Sequence, residues 1–127
     1  MVCAVSESLV FVFPLPLNLA NSRMHWRTRN REKKAFYAAC DNFQLWGDFP
    51  PPPREPFIRA TIRATVHAWN KGDTGNVMGR MKWIEDWLVT RGYLVDDSEK
   101  HLTWEGFPKQ IIDRKKKQII ITLTPTG

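Results

Sequence analysis

The stretch FIRATIRATVHAW, residues 57–69, decides the fold. Its residues alternate without a break. Ile58, Ala60, Ile62, Ala64, Val66 and Ala68 fall on one side, and Phe57, Arg59, Thr61, Arg63, Thr65, His67 and Trp69 on the other. A period of two is the signature of a strand with one face on a core. The small and branched residues form the inner face. The outer face presents Arg59, Arg63 and His67 in a row.

Upstream, four consecutive prolines, Pro50 to Pro53, form a stiff spacer that need not be a domain boundary. Before them, Phe36, Cys40, Phe43 and Trp46 recur at helical spacing. They predict a helix from an Asn30 cap to about Trp46, stopped by Gly47. Residues 17–29 lack a period and read as a loop. Residues 9–13, LVFVF, read as a short buried strand stopped by Pro14.

Downstream, Asp73 or Asn76 is placed to cap a second helix. Val77, Met81, Ile84 and Leu88 mark its stripe, Trp83 and Trp87 an adjacent face, and Gly92 its end. Residues 100–106 and 118–124 read as two more strands, paired as a hairpin around the basic stretch Asp113 to Lys117. The whole predicts one α/β (α+β) domain spanning residues 1–127, with a mixed four-stranded sheet and two main helices.

The chain has 127 residues, a formal net charge of +6 and two cysteines, Cys3 and Cys40. Two cysteines so placed make neither a disulfide framework nor a zinc set, and read as free thiols. The longest N-terminal apolar run is too short to cross a bilayer, and Glu7 before it argues against a secretory leader. A cytoplasmic protein without a membrane partner is expected. The positive excess favours a polyanionic partner. One basic cluster joins Arg23, His25, Arg27, Arg29, Arg31, Lys33 and Lys34, with Trp26 interleaved for stacking on a base. The other is Arg114 to Lys117, including Lys115 and Lys116. Arg59, Arg63 and Arg80 complete the candidate DNA contacts, which would go mainly to phosphates.

The acids Asp73, Asp86, Asp96 and Asp97 bracket the second helix. If a returning strand brings the two loops together, converging carboxylates there would suit Mg²⁺. The bland alternative is solvated turns and caps, and from spacing alone it is the commoner outcome.

Asp73-Thr74-Gly75-Asn76, then Lys82 with Asp86 and Leu88, then Gly92, then Asp96-Asp97 resembles the signature of the RusA family of Holliday-junction resolvases. Pro14, Pro16, Asn18 and Asn21 are similar to that family's opening segment, and the stretch Arg23 to Arg27 to its phage members. The resemblance implies a Mg²⁺-dependent endonuclease for four-way DNA junctions, with Mn²⁺ as a substitute metal, working as a homodimer. It implies Asp73 and Asp97 as metal ligands, Asp96 as a ligand or orienting neighbour, and Lys82 beside the scissile phosphate. For Asp86 the expected role is only an ion pair with Lys82 one turn away. Gly75 stands where the family carries a second aspartate. That leaves open a site built from Asp73, Asp96, Asp97 and water, or a protein that binds junctions without cutting. A third reading is a small interaction protein whose basic surface meets another protein.

Overall fold

The computed structural model describes residues 8–14, 26–68, 78 and 81–126. The elements run β1 (Leu9–Pro14), α1 (Trp26–Leu45), β2 (Ala60–Ala68), α2 (Lys82–Thr90), β3 (Leu102–Trp104), β4 (Lys109–Ile112) and β5 (Gln118–Pro125). They form a single small α+β domain with a mixed sheet.

The sheet has five strands, one more than the sequence suggested, in the order β1-β5-β2-β3, with β4 also on β2. β2 is its spine. On one side it pairs antiparallel with β5 from Ala60↔Pro125 to His67↔Gln118. On the other it pairs parallel with β3 over Ala60–Ile62 and with β4 over Thr65–Ala68. β3 and β4 therefore follow one another along the same edge of β2. A turn containing Gly106, at φ +73°, separates them.

The expected hairpin of residues 100–106 with 118–124 is not formed. β3 and β4 lie on one side of β2 and β5 on the other, and the Asp113–Lys117 turn passes over the end of β2. There the Asp113 amide donates to the Ala68 carbonyl at 2.8 Å. The reason is burial: β5 carries Ile119, Ile121 and Leu123 inward, all fully buried, and only a central position covers them.

One face of the sheet packs on the helices. Ala60, Ile62, Ala64 and Val66 of β2 meet Phe11 and Phe13 of β1 and the buried residues of β5 in one core. Trp83, Ile84, Trp87 and Leu88 close it from α2, and Phe36 and Cys40 from α1. The rings interlock: Phe13 stands 5.8 Å from Trp87 edge-on and 6.2 Å from Phe36 stacked. Trp83 and Trp87 are core residues. Val10 and Val12, alternating with Phe11 and Phe13, lie exposed on the other face, so β1 is buried on one side only.

Three local expectations change. The first helix starts at Trp26, so Asn30 lies inside it and caps nothing. Its first turns are polar, which hid the period, yet Arg, Lys and Glu are good helix formers. Trp46 leaves the core and is 79% exposed, because the helix ends at Leu45. Phe49 fills the core instead, 5.4 Å from both Phe43 and Trp87. Ile58 is exposed as well, since the alternation begins in earnest at Ala60 and Phe57 instead bridges Leu94. The proline segment is tied down: the Tyr93 hydroxyl donates to the Pro50 carbonyl at 2.6 Å. Gly92, at φ +86°, ends α2 as expected.

Candidate active site at the start of the second helix

α2 begins with Lys82, following Met81, which is buried and supplies no side-chain cap. Asp73 and Asn76, the expected caps, lie outside the described residues. Lys82, Glu85 and Asp86 are spaced i, i+3 and i+4, so they share one face of the helix. After α2 the chain turns at Gly92, bridges Phe57 through Leu94 and reaches Asp97.

The two ends of this segment meet. Lys82 Nζ donates to Asp97 Oδ2 at 3.2 Å, although the residues are fifteen apart in sequence. The same ammonium lies 3.2 Å from Asp86 Oδ1. Lys33 of α1 approaches Asp86 Oδ2 at 3.7 Å. A chain of alternating charge thus runs from α1 through α2 to the following loop. Burial pulls the Lys82 pKa down, but its bonds to Asp97 and Asp86 outweigh that and leave it above the ordinary lysine value.

Glu85 belongs to the same cluster. Its Oε1 accepts the Trp104 indole N–H of β3 at 2.8 Å. Burial raises its pKa above the ordinary carboxylate value; the Trp104 bond opposes this, and the charges of Asp97 and Asp86 add to it. Neither Glu85 nor Trp104 is among the site residues expected from the sequence. The i, i+3, i+4 spacing of Lys82, Glu85 and Asp86 was the available signal for Glu85. Nothing local links Trp104 to it.

Asp96 is turned to a different task. Its carboxylate bonds to the Ser98 side chain and neighbouring backbone, which holds its pKa below the ordinary value. That is the chemistry of a turn. Among the described residues, no three His, Cys, Asp or Glu side chains gather closely enough to hold a metal ion. Asp73, Arg80, Arg23 and His25 lie outside the described residues, as does Gly75, and of Trp26 only the backbone is described.

The remaining basic residues divide into separate surfaces. Arg27, Arg29, Arg31, Lys33 and Lys34 all belong to α1, with Arg27, Arg31 and Lys34 exposed. Lys33 joins this helix to the Lys82 cluster. Arg63 is exposed on the sheet face opposite the helices, and Arg59 is exposed just before β2. His67 lies 3.5 Å from Asp113, which also accepts the Lys115 and Lys116 amides at 2.9 and 3.1 Å. Those lysines therefore ride on a turn fixed by Asp113, past the end of β2.

At the far end of α2 lies a second charged cluster. Arg91 donates twice to Asp41 of α1, at 2.7 and 2.8 Å, and the Trp87 indole N–H adds a third bond at 2.9 Å. The bond from Arg91 comes first among the causes holding the Asp41 pKa below its ordinary value. Cys40, next to it, is buried and unpaired, and its thiol is pushed up to about 12, first by burial and then by Asp41.

No family model matches the chain, and no curated protein matches it either.

Proposed function

We propose that this protein is a Mg²⁺-dependent, structure-selective endodeoxyribonuclease that cuts four-way DNA junctions, as its resemblance to RusA-type resolvases implies. The observation that carries the reading is the contact of Lys82 with Asp97: the lysine and the last acid of the motif stand at one place on the surface. Two further features support it. The cluster offers hard carboxylate oxygens, the donor chemistry Mg²⁺ prefers. The basic helix α1 leads to it through Lys33.

In this reading Asp97 and Asp73 would hold the metal, with Asp96 as a lesser neighbour. The metal, when bound, would polarise the phosphodiester and lower the pKa of a water. Lys82 would donate to a non-bridging phosphate oxygen and offset the charge that grows there during attack. The exposed cations of α1 would bind the DNA backbone by charge, without reading sequence. Two cuts on opposed strands need two sites, so a homodimer in the cytoplasm of a bacterial or phage-infected cell is part of the proposal.

The test is a synthetic four-way junction with Mg²⁺ or Mn²⁺. Paired nicks that vanish in Asp97→Asn are expected; tight binding with no cutting at any metal concentration rejects nuclease activity. Gly75 favours a second reading, a junction binder that no longer cuts. If cutting appears only in Gly75→Asp, that second reading is the right one.

A further inference from the structure

Lys82 and Asp86 stand one helical turn apart, and such a pair on its own contributes little. Here it has company from two other elements. The Lys82 ammonium lies 3.2 Å from Asp86 on its own helix and 3.2 Å from Asp97 in the loop beyond. An ammonium has three N–H donors. With two of them directed at carboxylates from different sides, the group no longer turns freely and the direction of the third is set. The Lys82 side chain is 56% exposed, against 25% for Asp86 and 24% for Asp97. The open side of the ammonium therefore faces solvent.

Asp86 is itself held. Its Oδ1 takes Lys82 and its Oδ2 faces Lys33 on α1. With different cations on its two oxygens, the carboxylate cannot rotate without losing one of them.

We propose that Asp86 is a positioning residue, which holds the Lys82 ammonium from the helix side and aims its remaining N–H at the oxygen of an arriving phosphate. The nature of that phosphate, a DNA phosphodiester, rests on the nuclease reading above. Asp97 does not suffice for the task. In that reading its oxygens turn to the metal, and Asp86 is the anchor that stays with Lys82.

The test compares Asp86→Asn, Asp86→Glu and Lys33→Ala in the full chain. With a four-way junction and Mg²⁺, Asp86→Asn lowers kcat about tenfold and leaves KM within about twofold, the mark of lost aim rather than lost binding. Asp86→Glu restores most of the loss. Lys33→Ala removes the bridge between helices and one cation of the DNA surface but not the anchor, so its loss falls on KM and not on kcat. The readout free of activity is the side-chain ¹⁵N signal of Lys82. An anchored ammonium gives a resolved signal that junction DNA shifts in the absence of metal; the signal is lost in Asp86→Asn and kept in Lys33→Ala. An identical Lys82 signal in wild type and Asp86→Asn overturns the proposal, as does an unchanged kcat in Asp86→Asn. If wild type cuts nothing while the Lys82 signal behaves as described, the positioning role stands and the nuclease reading falls.

Discussion

The two ends of α2 carry two charged clusters of opposite character. At the C-terminal end, Asp41, Arg91 and Trp87 form a closed set: one carboxylate, a guanidinium bonded to it twice, and an indole N–H, all within 2.7 to 2.9 Å. At the N-terminal end, Lys82 is shared between Asp86 and Asp97 at 3.2 Å each, and Glu85 adds a further acid beside them. The first cluster has its bonds matched and fastens α1 to α2. The second has more acid than base and longer contacts. A ligand entering it would gain bonds rather than break matched ones, which is what separates a candidate site from a fastening.

Changes at each end should break different properties. Lys82→Met should lower junction cutting about 100-fold or more, the usual cost of removing a donor to developing charge, with the melting temperature nearly unchanged. Single-turnover cleavage and a thermal melt check both halves. Asp41→Ala should do the reverse. It strips the partner from Arg91 and leaves the N–H of the fully buried Trp87 unpaired, at a cost of about 1–3 kcal/mol. Urea denaturation measures the loss, and cutting per folded molecule should hold.

Acid separates the two ends by sign. The Asp41 pKa is depressed in the fold, so its contribution is whole above the ordinary value of 3.8 and is lost as pH falls through the folded value. The Glu85 pKa is raised, so its ionisation costs stability as pH climbs from the ordinary value of 4.5 through the folded one. Glu85→Gln keeps an oxygen for the Trp104 N–H and removes that cost. Its stability should exceed wild type at neutral pH and converge with it in acid, read from urea midpoints across the range. A variant that loses stability at neutral pH would show that the carboxylate charge is stabilising there.

The smallest effect should come from α1. Lys34→Ala should weaken junction binding only a few-fold and reduce the slope of log affinity against log salt by about one phosphate contact or less. An unchanged slope would remove this helix from the DNA surface.

How well the sequence could be read differed between parts of the chain for physical reasons. β2 was plain because a strand with one buried face writes its period into the chain, as Ala60, Ile62, Ala64 and Val66 do. Its neighbours were not, because β4 exposes most of its short length and has no period to show. The start of α1 was missed for a similar reason: its first turns face solvent. In the site, Lys82 and Asp97 came from a motif, and their contact depends on how the chain returns after Gly92. Glu85 was legible from helical spacing. The Trp104 bond to it was not, since only the pairing of β3 with β2 brings that indole to α2.

A resolvase of this kind must hold a metal where the Lys82 end of α2 meets the loop at Asp97. Anomalous diffraction from crystals soaked in Mn²⁺ tests it most directly. A Mn²⁺ peak is expected in direct contact with oxygens from Asp97 and Asp73, near the roughly 2.0–2.1 Å that octahedral Mg²⁺ takes. Well-ordered Asp73 and Asp97 side chains on separate faces, with no peak between them, would contradict it.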